Sequence, residues 1–182
     1  VLVPEGCTSP NVYAKVLRGA PRPVDGQPFQ LLTRLARELD CVIGGGFLRH
    51  GGSDAQKAAH VPGIIDGSKT FAFAQLEKSS RYDLFDVATS AKKKGDAYVI
   101  DGEKFVVLNG ENADTLIVTA RTRGERRDKS GIGVFLVPAD AKGVAKKSYP
   151  TQDGLHAADI TFTGVEIGAD AVLGNPDDSL AL

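Results

Sequence analysis

The chain has 182 residues, of which 42% are hydrophobic and 25% charged, and its formal net charge is −1. This composition predicts one or two small globular domains and shows no signature of disorder. Nucleic acid is not an expected partner, because a near-neutral chain provides no strong basic field, and no apolar run approaches the roughly 20 residues of a membrane-spanning helix.

The first 28 residues are predicted to be a loop-rich lead-in, because five prolines interrupt them and keep regular structure short. The opening Val-Leu-Val-Pro-Glu lacks the charged start and apolar core of a signal peptide, so we expect a cytoplasmic protein. Cys7 and Cys41 have no histidines at metal-ligand spacing, and the three histidines do not cluster. We therefore expect structural cysteines and predict no metal site.

Two helices are predicted next. Apolar residues recur every three or four positions from residue 29, which is the stripe of an amphipathic helix: Leu31, Leu32, Leu35, Ala36, Leu39 and Val42. Gly44-Gly45-Gly46 is expected to end this helix. It is not a phosphate-binding loop, because no strand precedes it and no Lys-Ser or Lys-Thr follows. Ser53 is a plausible N-cap for a second helix through Ala59, which Pro62 and Gly63 are expected to stop.

The segment 71–114 predicts an antiparallel meander. A strand at Phe71–Ala74 is followed by the alternating residues Val87, Thr89 and Ala91, and Gly95-Asp96 then supplies a two-residue turn. Tyr98 and Ile100 then resume the period of two. Asp101-Gly102 is expected to form a second hairpin turn, with positive φ angles, before the third strand of the meander, 104–108, which Asn109-Gly110 ends.

Further strands are expected near 115–121, 132–137, 144–148 and 159–167, and seven short strands suggest a barrel or a sandwich. The loop Arg123–Lys129 contains both signs of charge, which favours a solvated hairpin tip over a phosphate site.

Several motifs, in order along the chain, resemble those of the acyl-CoA dehydrogenase family, over roughly residues 28 to 178. The likeness rests on Gly52–Lys57, Val61-Pro62, Asp66-Gly67, the strand 71–74 ending at Glu77, Gly102-Glu103-Lys104, Asn109-Gly110, and the later strands at 117–122, 131–137 and 162–167, closing with Val172-Leu173-Gly174. The resemblance implies an α+β fold. Residues 1–70 would form part of the N-terminal helical domain, and residues 71–182 would form the antiparallel, β-barrel-like middle domain, without the C-terminal helical domain.

The family oxidises the Cα–Cβ bond of acyl-CoA thioesters with FAD. The resemblance therefore implies a flavoprotein oxidoreductase of fatty acid metabolism, with an acyl-CoA substrate, an electron-transfer acceptor and a homo- or hetero-oligomeric assembly. In the family a carboxylate from the helical domain after the β-domain removes the proton. The chain ends at Leu182, before that domain is reached, so we assign no catalytic base within it. Glu77, Glu103 and Glu166 are expected to face solvent or to cap backbone groups.

The resemblance also indicates which residues face the cofactor. They are Phe73, Gln75, Leu76, Val106, Val107 and Leu108. Where the family has Thr-Glu-Pro this chain has Leu76-Glu77-Lys78, and where the family has Trp-Ile-Thr-Asn it has residues 106–109, Val-Val-Leu-Asn. An aromatic wall and two threonines are therefore missing. A leucine side chain donates no hydrogen bond, although the backbone N–H of Leu76 remains a donor for the flavin. The alternative is that Gln75, Leu76, Val107 and Leu108 are strand residues that pack a core.

Arg81 and Tyr82 stand where the family has a Gly-Ser step, and we expect them to contact the pantetheine or phosphate part of the CoA ester, because the planar guanidinium suits phosphate. The lost threonines suggest the less typical, small subunit of a heteromeric acyl-CoA dehydrogenase, similar to pimeloyl-CoA dehydrogenase. Two alternatives remain: a structural or assembly subunit that has lost flavin binding, and a β-barrel ligand binder without a redox role.

Overall fold

The computed structural model describes residues 43–80, 83–152 and 154–177. The lead-in and the helix predicted from residue 29 lie outside the described residues. Two helices come first, α1 (Ile43–Gly51) and α2 (Asp54–Asp66). The glycine triplet was predicted to end a helix, and this was wrong, because residues 44–46 lie within α1. The later residues of α1 pack on the sheet, with Leu48 fully buried, and such packing outweighs the low helix propensity of glycine.

Helix α2 begins as predicted but ends later. The Ser53 side chain accepts a hydrogen bond from the backbone N–H of Gln56 at 3.2 Å, and Gln56 Oε1 accepts one from the backbone N–H of Ser53 at 2.8 Å, which completes a capping box. The predicted stop at Pro62 was wrong, since the helix continues through Pro62 to Asp66. Gly67 ends it in the left-handed conformation at a φ of 77°. Among the described residues, no helix is long and apolar enough to cross a bilayer.

The part of the chain that the structure describes contains eight strands in one mostly antiparallel sheet. They are β1 (Phe71–Ala74), β2 (Ser90–Lys94), β3 (Ala97–Leu108), β4 (Thr115–Arg121), β5 (Ile132–Pro138), β6 (Val144–Pro150), β7 (His156–Gly168) and β8 (Val172–Leu173). The order across the sheet is β6-β7-β3-β2-β4-β5-β8, and β1 pairs with β4 in parallel. The α+β class is confirmed. The sheet is not closed, because no pairing joins β6 to β8 among the described residues, so a barrel is too strong a description.

The hairpin between β2 and β3 turns at Gly95-Asp96, as predicted, but the second predicted turn is wrong. Asp101-Gly102 lies inside β3, where the pairing with β7 shifts register between Ile100 and Gly102. Gly102 has a φ of 147°, and a Cβ there would lie 2.6 Å from the Cα of Thr89. Glycine at position 102 therefore permits the irregular pairing and the close approach of the Thr89 backbone, and it does not form a turn. β3 ends before Asn109, whose φ is 57°.

Two apolar clusters hold the fold together. In the larger cluster, side chains from β3 and β7 meet side chains from β4 and β5, and the Tyr98 and Phe135 ring centroids lie 5.2 Å apart. The two halves of the sheet therefore fold over a common core. The smaller cluster lies between helix α1 and the other face of β4 and β5, and it contains Leu48, Phe71, Ile117, Val134, Leu136 and Leu173.

Candidate functional site

A fully buried lysine forms the centre of the region around the predicted cofactor residues. Lys104 on β3 donates from Nζ to Glu77 Oε1 at 2.8 Å, to Thr119 Oγ1 on β4 at 3.0 Å and to the Gln75 carbonyl at 3.1 Å. Its side chain is 0% exposed and that of Glu77 is 6% exposed. The three acceptors use all three ammonium protons, which satisfies a charge that would otherwise be costly to bury.

The Glu77 carboxylate joins a second segment to this network. Oε2 accepts from the backbone N–H of Ala88 at 2.7 Å, and Oε1 accepts from that of Thr89 at 3.0 Å. Burial alone raises the pKa of Glu77, but the charge of Lys104 and these hydrogen bonds lower it on balance. Burial lowers the pKa of Lys104 to about 8, against the opposing effect of Glu77. Of the two roles expected for Glu77, capping backbone groups and facing solvent, the structure shows the first.

The loop that follows β1 is tied to β3 through its backbone. The Leu76 carbonyl accepts from the N–H of Phe105 at 2.8 Å, and the Gln75 carbonyl accepts from Lys104. Both side chains are half-buried. The structure thus brings Gln75 and Leu76 beside the second half of β3, where the other predicted cofactor residues lie.

The end of β3 presents two apolar side chains outward. Val106 is 46% exposed and Leu108 is 49% exposed, whereas Val107 between them is 1% exposed and packs in the larger core. Val106 and Leu108 are two of the four large hydrophobic side chains that stand exposed among the described residues. Such residues on a rigid strand suit an apolar ligand face.

Phe73 faces away from this surface. It is half-buried and packs on Phe47 of α1, with ring centroids 4.8 Å apart. It therefore belongs to the smaller cluster between helix and sheet. The predicted substrate residues Arg81 and Tyr82 lie outside the described residues.

The segment after position 82 is held by arginines. The buried carboxylate of Asp86 bonds Arg126, and its Oδ2 accepts from Arg127 Nε at 3.2 Å and Nη2 at 3.1 Å. Arg121, 8% exposed, donates to backbone carbonyls on both sides, including Phe85 at 2.8 Å, Arg126 at 2.9 Å and Ser130 at 3.0 Å. The loop of mixed charge is exposed as predicted, and it also anchors the segment that Glu77 caps.

Lys104 and Arg121 were not predicted from the sequence as organising residues. The signal for Lys104 was present, since Tyr98 and Ile100 face the core and the period of two places position 104 on the same face. A lysine there requires a carboxylate partner. The carbonyl partners of Arg121 come from irregular backbone, and no spacing in the sequence predicts them.

The remaining carboxylates agree with their expected roles. Glu166 pairs with Lys94 at 2.6 Å, with both side chains more than half exposed, and Glu103 is exposed on β3. The pKa of Glu166 is lowered by its hydrogen bond from Lys94. The lowered pKa of Glu166 is the opposite of what a general base requires.

The fold and the order of its motifs agree with the middle β-domain that the family resemblance implies. A sequence model described as "Acyl-CoA dehydrogenase, middle domain" matches residues 72–165, which is just over half of the chain. The chain therefore belongs to the acyl-CoA dehydrogenase family.

Individual relatives agree with this assignment. The chain is 30% identical over 143 residues to the acyl-CoA dehydrogenase FadE12 of Mycobacterium tuberculosis, covering 76% of this chain and 36% of that protein. The solved structure of the Tcur3481-Tcur3483 steroid ACAD has a TM-score of 0.69 at 31% identity, covering 72% of this chain and 34% of that one. The ChsE4-ChsE5 complex from M. tuberculosis has the same fold, with a TM-score of 0.70 at 24% identity, over 88% of this chain and 38% of that one. The chain thus spans about a third of the length of the curated relatives it matches.

Proposed function

We propose that this chain supplies the flavin- and substrate-facing β-domain of an FAD-dependent acyl-CoA dehydrogenase, which oxidises the bond between the α and β carbons of a thioester. The observation that carries the proposal is the exposed apolar end of β3, Val106 and Leu108, inside the segment that matches the family. Gln75 and Leu76 lie next to this strand, joined to it by the bonds to Lys104 and Phe105.

The residues at this surface fit the face of an aromatic ring better than its polar edge. Leu76, Val106 and Leu108 offer apolar contact and no side-chain donor, so hydrogen bonds to the ring come from backbone N–H groups and from the Gln75 amide. The chemistry that FAD supplies when bound is acceptance of the hydride from the β carbon. The role of this chain is to hold the ring against a sheet made rigid by the Lys104 network.

None of the three glutamates at positions 77, 103 and 166 is suited to removing the α proton. Glu77 is engaged by Lys104 and two amides, and Glu166 is paired with Lys94 in solvent. We propose that the base lies elsewhere in the complete protein. We also propose that Arg81 and Tyr82 contact the CoA moiety, that electrons leave to a separate acceptor protein, and that the enzyme is a cytoplasmic oligomer.

Visible absorption tests the proposal directly. We expect the purified full-length protein to show the absorption bands of bound flavin, and a suitable acyl-CoA to bleach them. Leu108→Asp places a charge on the proposed ring face and is expected to weaken FAD binding at least tenfold, about 1.4 kcal/mol. Ile65→Asp is the matched control, since Ile65 is an exposed apolar residue on α2. A colourless protein that takes up no FAD contradicts the proposal.

The second candidate is a non-catalytic subunit of a heteromeric enzyme that has itself lost flavin binding. The absence of a hydroxyl at positions 76 and 108 favours it, because this removes side-chain hydrogen bonds that the family resemblance implies. Co-purification with the protein encoded by the neighbouring gene distinguishes the two. A complex that is yellow while this protein alone is colourless supports the subunit role, and a yellow, active enzyme from this protein alone contradicts it.

A further inference from the structure

The outward position of Val106 and Leu108 depends on a β-bulge. Lys104 pairs with Ile160 and Val107 pairs with Ala158, so Phe105 and Val106 together stand opposite Asp159 alone. A strict period of two from Lys104, which faces the core, would turn Val106 and Leu108 inward and Val107 outward. The extra residue reverses this arrangement, and the observed burial follows the bulged register.

The bulge forces valine into an unfavourable backbone conformation. Val106 has a φ of 51°, in the left-handed region that β-branched residues rarely adopt. Such strain persists only where the surroundings hold it, and it is found preferentially at functional sites. Some contact must therefore fix residue 106 in this conformation.

The side chain opposite the bulge provides that contact. Asp159 Oδ1 accepts from the N–H of Val106 at 3.2 Å and from the hydroxyl of Tyr149, on β6, at 2.9 Å. The other N–H released by the bulge, that of Phe105, donates to Leu76. Burial and the Asp159 carboxylate raise the pKa of Tyr149, so its phenol remains a donor. The bulge is thus held from two strands and from the loop after β1.

We infer that Asp159 and Tyr149 are positioning residues of the cofactor site, acting through the β3 bulge to hold Val106 and Leu108 against the flavin ring. The inference rests on the proposed function. Neither residue touches the ring surface itself, and both act on the backbone behind it. Their loss should therefore weaken flavin binding by more than their effect on folding explains.

The test compares two aspartates that each accept from a backbone N–H across the β3–β7 pairing, one at each of its two irregularities. Asp159→Leu removes the acceptor, Asp159→Asn keeps an acceptor oxygen, and Tyr149→Phe removes the supporting hydroxyl. Asp101→Leu is the control, because Asp101 Oδ1 likewise accepts from a backbone N–H, that of Gly164 at 2.7 Å, at the other irregularity of β3. FAD affinity, melting temperature and exchange of the Val106 amide are measured in the full-length protein.

We expect Asp159→Leu to weaken FAD binding at least tenfold and to speed exchange of the Val106 amide, with Asp159→Asn within threefold of wild type. Tyr149→Phe should weaken binding about threefold, and it serves as the main variant if Asp159→Leu does not fold. Asp101→Leu should lower the melting temperature without changing FAD affinity more than threefold. If wild type binds FAD and either Asp159→Leu or Tyr149→Phe binds it with the same affinity, this inference is overturned and the proposed function is not. Failure of wild type to bind FAD overturns the proposed function as well.

Discussion

Lys104 joins parts of the chain that are far apart in sequence. Its ammonium contacts the loop after β1 through Gln75 and Glu77 and strand β4 through Thr119. Burying a lysine and a glutamate costs desolvation, so the pair is not a strong source of net stability. Removing one partner is a different matter, because the other is then left charged inside the protein.

We predict that Lys104→Met lowers the free energy of unfolding by about 3 kcal/mol, because Glu77 is left as a buried, uncompensated carboxylate. Thr119→Val is the matched control: it removes a single acceptor from the same ammonium and should cost about 1 kcal/mol. Chemical denaturation with the two variants measures both values. Equal losses would mean that Lys104 contributes no more than one hydrogen bond.

The same lysine predicts a pH dependence. Its pKa in the folded protein, about 8, lies below the value of 10.5 for a free lysine. Between these values the unfolded chain binds more protons than the folded one, so unfolding free energy rises with pH there, by at most about 1.4 kcal/mol per pH unit. The Lys104→Met variant has no group that titrates at this position, so it lacks this contribution to the pH dependence of the unfolding free energy. The stability of wild type relative to Lys104→Met should therefore increase from pH 8 to pH 10, as measured by urea denaturation, and a constant difference would contradict it.

At the level of the strands, β3 is the element on which the site depends. It is twelve residues long and its pairing with β7 shifts twice, at Ile100/Gly102 and at Lys104/Val107. At the first shift the extra residue lies in β7, between Phe162 and Val165, so Ile100 and Lys104 keep the same alternation on β3. The second shift adds a residue to β3 itself and turns Leu108 outward.

We predict that Gly102→Ala destabilises the protein far more than Gly95→Ala does. Both glycines have positive φ, but a Cβ at position 102 would meet Thr89 Cα at 2.6 Å, whereas nothing lies within 4 Å at position 95. Strain alone should cost about 1 kcal/mol at Gly95, and the added clash should bring the loss at Gly102 to about 3 kcal/mol. Thermal unfolding of the two variants measures this difference, and similar melting temperatures would show that the backbone at Thr89 moves to accommodate a Cβ at position 102.

The strands were predictable wherever alternation and turn residues agree. β4 occupies the predicted range 115–121, and the Gly95-Asp96 hairpin was confirmed. The Asp101-Gly102 turn was wrong because a glycine at positive φ suits a bulge as well as a turn, and only the partner strand decides between them. Helix α2 passes through Pro62 for a similar reason, since contacts of Val61 and Ile64 with the sheet are not visible in local sequence.

The site was predictable only in part. The family resemblance indicated Leu76, Val106 and Leu108, and the structure brings the first beside the strand that carries the other two. The resemblance does not indicate that the side chains of Val107 and Phe73 point away from this surface, because their directions depend on the bulge and on the packing of α1. No sequence pattern indicates Asp159, since its partner at position 106 is 53 residues away in sequence and the bond uses a backbone N–H.

On the scale of the whole molecule, the helices and the sheet are joined at β8. Gln56 Nε2 donates to the carbonyls of Asp170 at 2.6 Å and Val172 at 2.9 Å, and the Gly51 carbonyl accepts from Gly174 at 2.9 Å. Leu48 and Leu173, both 0% exposed, pack in the cluster between them. The proposed division at residue 70 therefore separates two segments that share one interface.

We predict that Gln56→Ala costs about 2 kcal/mol more unfolding free energy than Ser53→Ala does. Ser53→Ala removes the N-cap of α2 alone, which costs about 1 kcal/mol. Gln56→Ala removes the reciprocal half of the capping box and also leaves two carbonyls of the 170–172 segment without this donor, at about 1 kcal/mol each. Amide exchange separates the two effects: Ser53→Ala should expose the first turn of α2, whereas Gln56→Ala should also expose the amides of β8 and of Gly174. Protection of β8 unchanged in Gln56→Ala would mean that the apolar cluster around Leu48 and Leu173 holds the helices to the sheet without help from this side chain.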